Sequence, residues 1–371
     1  MVIRIVSLSL ISLFCLCTGC KKKPIIDIPP TTILYSNSRA NIIAINPAIS
    51  TPKWTFDTKG VLFNDAVISD GVLYTGTFDK KFYAINIETG EKKWEYQVGE
   101  AVSSSPTLVD GVVYFGSLAF LYALEAKTGR VLWTFQPAIG GSIYSSPAVI
   151  NGVVYVGSYA NKLYAIRATD GVKLWEFTTS DWIYSSPSVA NGLVYVGCND
   201  KKLYAIDDQT GKKKWEFETK GIVYSSPVVA NGIVYVGGLD ASVYAIDAQT
   251  GQKRWSYLMS GPIYCSPVIS NNTIYITDRG SSSSLLCAID AQTGQHRWKT
   301  TIQSSYITTN VVVVNGLVYA GDVGGRLYAF DQTNGDKKWQ YTLPFEGSTL
   351  LAFTTNGRVT GDYPSISGFN Q

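Results

Sequence analysis

The stretch NGLVYVGCNDKKLYAIDDQTGKKKWEF, residues 191–217, decides the fold. Asn191-Gly192 is a hairpin signal, because both residues tolerate the positive φ that a type I′ turn demands. The runs 193–197 and 202–207 are rich in Val, Ile, Leu and Tyr and lack helical periodicity, so they predict strands. Thr210-Gly211 then turns the chain into a further strand that holds Trp215. Nothing in the stretch pairs an acid, a base or a nucleophile.

The same grammar fills most of the 371 residues. Trp54, Trp94, Trp133, Trp175, Trp215, Trp255, Trp298 and Trp339 are separated by 40, 39, 42, 40, 40, 43 and 41 residues. Ten residues before each stands an Ala, from Ala44 to Ala329. Hairpin signals return at Asp70-Gly71, Asp110-Gly111, Asn151-Gly152, Asn231-Gly232 and Asn315-Gly316, with Asn271-Asn272 as the exception. A period near 40 with four short strands per unit is the mark of propeller blades.

Seven complete units run from about Phe63 to Tyr341. Before them, 33–56 has the pattern of a second, third and fourth strand; after them, 348–355 has that of a first. The expectation is therefore an all-β, eight-bladed β-propeller of four-stranded antiparallel blades over residues 31–371, closed by N- and C-terminal strands. Residues 358–362 compete with 33–38 for the second strand of the closing blade.

The pattern Ala-x-Asp-x-x-Thr-Gly-x-x-x-Trp, clearest at Ala205 to Trp215 and Ala245 to Trp255, resembles the tryptophan-docking motif of PQQ-type propeller repeats. That resemblance implies a Trp wedged between neighbouring blades, with the Ala leaving it room. The first 19 residues resemble a bacterial lipoprotein signal peptide, with an apolar stretch too short to span a bilayer. Cys20 would carry the lipid, although Cys17 stands where that signal usually has Leu. Residues 20–30, with Pro24, Pro29 and Pro30, then form a lipidated tether.

Composition narrows the function. A formal charge of +3 without a concentrated basic face argues against nucleic acid. The one His, His296, stands where sister repeats hold Lys or similar, so it reads as a solvated turn residue rather than a triad base, and a single His cannot build a His-rich metal centre. Quinoprotein dehydrogenases of the same repeat class carry large insertions and an adjacent Cys pair beside the quinone. The even spacings leave no room for the first, and the second is absent. No cofactor, metal or catalytic residue is assigned. Cys198, Cys265 and Cys287 are expected to be free thiols, since Cys265 and Cys287 lie on strands too far apart to bridge.

The Ser-Ser-Pro series at 104–106, 145–147, 185–187 and 225–227 admits two readings. Either Ser satisfies backbone groups where the first strands converge, or hydroxyls and Tyr rings form a polar funnel for a peptide or sugar. Departures from the repeat fall on the face opposite the Asn-Gly hairpins: the apolar turn with Leu118 and Phe120, Arg279 before the run Ser281–Ser284, and Trp182, which lies outside the repeat register. Exposed aromatics of this kind mark partner sites, so Trp182, Phe120, Leu118 and Arg279 are the candidate partner-binding residues.

The chain is most similar to propeller lipoproteins of the outer-membrane β-barrel assembly machinery. That resemblance implies a monomeric, non-enzymatic scaffold, lipid-anchored in the cell envelope, with the outer membrane favoured. It would face the periplasm or the surface and meet a barrel-assembly protein as partner. A polysaccharide- or peptide-binding propeller and a reduced PQQ-dependent dehydrogenase are the alternatives.

Overall fold

The computed structural model describes residues 31–37, 40–46, 51–62, 64–304, 307, 310–342, 350–355 and 358–359. The expected signal peptide, Cys20 and the tether lie outside them. Every named element is a β-strand, as the period-2 and hairpin signals require.

The blade quoted at the outset shows how the sequence folds. Ser188–Ala190, Leu193–Gly197, Lys202–Asp207 and Lys213–Glu218 pair in that order as one antiparallel sheet. Asn191 and Gly192 take φ of 53° and 77°, the geometry of the type I′ hairpin. The two middle strands are buried between neighbouring blades, while the fourth alternates outward and inward. Fully buried Ala205 pairs with Trp215, and the register shifts just after Ala205. Such an irregularity re-aims the side chain beside it. The same pairing and shift occur at Ala84 with Trp94 and at Ala245 with Trp255.

The Trp indoles join the blades. Trp215 Nε1 donates to the carbonyl of Ala248 in the next blade at 3.0 Å. Tyr195, from the second strand of the Trp215 blade, donates to the same carbonyl at 3.1 Å, which uses both of its lone pairs. The indole lies on Gly251, where an added Cβ would sit 2.7 Å from the ring. Equivalent indole bonds run from Trp54, Trp94, Trp133, Trp175, Trp255 and Trp298 to the following unit at 2.8–3.0 Å. The Thr-Gly glycine is thus as much part of the docking as the Ala, because only a residue without a side chain leaves the ring a flat seat.

The expectation of an eight-bladed propeller is corrected: the blades number seven among the described residues. Seven sheets are four-stranded blades, from Val67–Ser69 to Lys337–Thr342. The two chain ends instead share a five-stranded sheet, in the order Thr51–Asp57, Asn41–Asn46, Thr31–Asn37, Leu350–Thr355, Arg358–Val359. The two segments expected to compete both pair. Thr31–Asn37 takes one side of Leu350–Thr355, and Arg358–Val359 takes the other. The short first strands follow one another around the ring, and Leu350–Thr355 lies against the Trp94 blade, so chain-end pairing closes the circle.

Candidate functional site: an aromatic arc at the mouth of the ring

The loops that enter the first strands converge on the ring axis, and the Ser-Ser-Pro series clasps them. In each pair the first Ser accepts from its own blade: Gly157 N–H to Ser145 Oγ at 3.1 Å, Gly197 to Ser185 at 3.0 Å and Gly237 to Ser225 at 2.8 Å. The second Ser accepts from the blade before. The amides of Ser105, Ser146 and Ser186 donate to the Oγ of Ser146, Ser186 and Ser226 at 2.9–3.1 Å. The ladder continues from Ser226 to Ser266 and from Ser266 to Asn310 Oδ1, and it begins with the Asp65 amide on Ser105 Oγ. These serines satisfy backbone groups around the ring, the structural alternative of the two readings.

One residue before each clasp, four consecutive blades place a Tyr: Tyr144, Tyr184, Tyr224 and Tyr264. These rings meet in a continuous arc. Tyr144 stacks on Tyr184 at 5.7 Å between centroids, Tyr184 meets Tyr224 edge-on at 5.3 Å, and Tyr224 stacks on Tyr264 at 5.8 Å. At one end Tyr159, from the turn before Lys162–Arg167, stacks on Tyr144 at 4.6 Å and on Trp182 at 4.5 Å. At the other end the Arg279 guanidinium lies 4.0 Å above the Tyr264 ring, a cation–π contact. Backbone bonds hold these turns to the neighbouring entry loops: Tyr159 N–H to Ser142, Asn199 N–H to Trp182 and Arg279 N–H to Pro262, at 2.9–3.0 Å.

Trp182, Tyr184 and Tyr264 remain 47%, 41% and 37% exposed. Among the described residues, the hydroxyls of Tyr144, Tyr159, Tyr184, Tyr224 and Tyr264 and the Trp182 indole N–H have no hydrogen-bond partner. Burial of ring area raises the phenols of Tyr159 and Tyr184 above their ordinary range, so both stay protonated and able to donate. The arc therefore combines stiff apolar surface with open hydrogen-bonding tips. Trp, Tyr and Arg are the side chains that concentrate interface energy, since they cover much area for few rotatable bonds.

The structure sorts the four candidate partner residues. Trp182 and Arg279 stand at the two ends of the arc. Leu118 is half-buried beside it, its carbonyl accepting the Ser142 hydroxyl at 3.0 Å. Phe120 is not brought there: it packs edge-on against Tyr122 at 6.1 Å, in the core between the Trp94 and Trp133 blades. Sequence reasoning did not single out Tyr159, Tyr184, Tyr224, Tyr264 or Asp65. The signal for three of the tyrosines was present, as the residue before Ser-Ser or Cys-Ser in successive units. Cys198 and Cys287 are buried, Cys265 is half-buried, and none of the three is in a disulfide. Among the described residues no group of three His, Cys, Asp or Glu is placed to hold a metal ion.

The family model described as "Outer membrane protein assembly factor BamB" matches residues 38–136, 117–264 and 259–361. No curated protein matches the chain by sequence. Among solved structures, BamB from Moraxella catarrhalis superposes with a TM-score of 0.66 at 17% identity, covering 78% of this chain and 90% of that one. The computationally designed protein Ika8 gives 0.71 at 15%, covering 82% and 94%. Quinohemoprotein alcohol dehydrogenase from Comamonas testosteroni gives 0.68 at 14%, covering 86% and 70%. At these identities the likeness establishes the fold alone.

Proposed function

This chain belongs to the family of the outer membrane protein assembly factor BamB, and from that premise we propose that it is a non-enzymatic, lipid-anchored scaffold of the bacterial cell envelope that docks a protein partner on the aromatic arc. The observation that supports the reading is the arc itself: an exposed run of Trp182, five Tyr rings and Arg279 with open polar tips. A folded protein satisfies such tips when they serve its own packing, as it does for the docking tryptophans. An outer-membrane barrel-assembly protein is the partner the family suggests. The outer membrane is the favoured location, with Cys20 as the lipid site and the propeller acting as a monomer.

Site-specific crosslinking from Trp182 and Tyr184 in intact membranes tests the docking. Capture of one defined envelope protein from these positions, and not from Lys213 on the outer strand, is the expected result. Crosslinks confined to the hairpin face would sink the reading. The anchor is tested separately: palmitate should label the wild type, and Cys20→Ser should release the protein from membranes. Added PQQ and Ca²⁺ should produce no oxidation of alcohols or sugars.

A further inference from the structure

The arc lines only part of the mouth. Away from it, the ladder of ring contacts begins at Asp65, where the next five members are Ser and the last is Asn310. The Asp65 amide keeps the ring contact, donating to Ser105 Oγ at 3.0 Å. Its carboxylate accepts no hydrogen bond among the described residues. The residue is half-buried at the ring, and burial alone pushes the carboxyl up to about 6. Part of its surface is still open, so it can be reached from the channel. Cys265 enters the Trp298 blade, five units further round, and it feels both Asp65 and Arg279. Asp65 and Arg279 are thus both within electrostatic reach of Cys265, and the Arg279 guanidinium lies on the ring of Tyr264.

A buried carboxylate serving only the fold is normally paired, because unpaired burial costs several times what a Ser would. Serine fills this place in the neighbouring blades, so the fold does not require an acid here. A divalent metal does not fit, since it needs several oxygen ligands and the described residues offer no cluster of acidic or other ligating side chains. An organic cation fits better: it needs one counter-charge, and the electron-rich faces of tyrosines at the same mouth favour it further.

We propose that Asp65 is the receptor for a single organic cation, an ammonium or guanidinium head that a partner's side chain inserts into the channel from the face that carries the arc. The carrier rests on the docking reading, but the receptor can be tested without any partner. The full chain is titrated with Nα-acetyl-lysine methylamide, the arginine analogue and the glutamate analogue, followed by ligand-observed NMR and calorimetry. Both cationic probes should bind one to one, the glutamate analogue should not, and the tighter cation identifies the head.

Asp65→Ser, which installs the residue of the neighbouring blades, should weaken the cationic probes at least tenfold, while Lys213→Ala on the outer strand should change them less than twofold. Should Asp65→Ser fold poorly, Asp65→Asn carries the same measurement. Equal binding by the wild type and these variants, binding of the glutamate analogue as tight as the cations, or binding of neither cation would overturn the proposal. Saturable calcium binding that disappears in Asp65→Ser would overturn it in favour of a metal site. Failure of the crosslinking with success here would remove the partner and leave the receptor.

Discussion

The molecule uses tryptophan in two ways, and the difference separates architecture from function. Trp215 and its counterparts have their N–H groups bound by the next blade and their rings seated on a glycine. Trp182 has its ring on Tyr159 and its N–H without a partner among the described residues. Both bury aromatic area, but only the first group completes its hydrogen bonding within the chain. An aromatic that the fold needs is satisfied at both ends, and one held for another molecule keeps its polar end open.

The sharpest way to break that distinction is at the satisfied end. Trp215→Ala should cost about 3–5 kcal/mol, the usual range for emptying a large aromatic site. It also strips one donor from the Ala248 carbonyl. The loss should appear as a lower melting temperature with early opening of the adjacent Trp255 blade in hydrogen exchange. An unchanged melting point would mean that the docking bond carries no load. Gly251→Ala attacks the same contact from the other side, with a Cβ at φ 72° that would meet the indole.

Asp65 is the reverse case, a group whose presence should lower stability. Well below pH 3.8 the carboxyl is protonated both in the fold and in the unfolded chain, so its charge costs nothing. Between its ordinary value of 3.8 and about 6, the unfolded chain releases the proton while the folded protein keeps it. Stability is therefore lost as pH rises through that window, and above about 6 the full cost remains. A shift of this size corresponds to at most about 3 kcal/mol. Asp65→Ser should accordingly melt higher than the wild type at pH 7.5, with most of that gain lost at pH 4. Equal melting curves at both pH values would show that the ring does not penalise this charge.

The clasp stands between these extremes. Ser186→Ala removes the acceptor of the Ser146 amide at 2.9 Å, and the half-buried N–H is left to whatever water reaches it. The expected cost is about 1–2 kcal/mol, read by chemical denaturation with an unchanged slope. A loss no larger than that of an outer-strand change such as Lys213→Ala would show that the ladder follows the ring without holding it.

Much of the architecture was legible because it is local. The Trp spacing, the Asn-Gly hairpins and the Ala opposite each Trp all act within one unit, and the structure shows each of them. The terminal sheet was less legible. Whether Thr31–Asn37 or Arg358–Val359 pairs with Leu350–Thr355 depends on segments more than 300 residues apart, and both can pair because the strand has two edges. The arc was legible in part. Trp182 stood out by breaking the register, but its stacking on Tyr159 joins two entry loops and cannot be read from either alone. Phe120 misled because an apolar turn residue can face solvent or the blade core, and composition does not distinguish the two.

The smallest expected change in stability belongs to the arc, and it is the most informative. Trp182 is nearly half exposed, and its backbone bonds to Asp181 and Asn199 do not involve the indole. Trp182→Ala should therefore shift stability within about 0.5 kcal/mol, as surface changes do. Partner binding should fall at least tenfold, equivalent to about 1.4 kcal/mol, because a rigid ring with an open N–H concentrates interface energy. Tyr184→Phe isolates the polar tip: it keeps the ring stack and removes only a hydroxyl with no partner in the chain, so binding should weaken severalfold while melting stays the same. Phe120→Asp should do the opposite, loosening the core around Tyr122 with little direct effect on binding. If Trp182→Ala unfolded the protein and left binding intact, the indole would be a plug between loops, and an open polar end would not mark a binding residue in this fold.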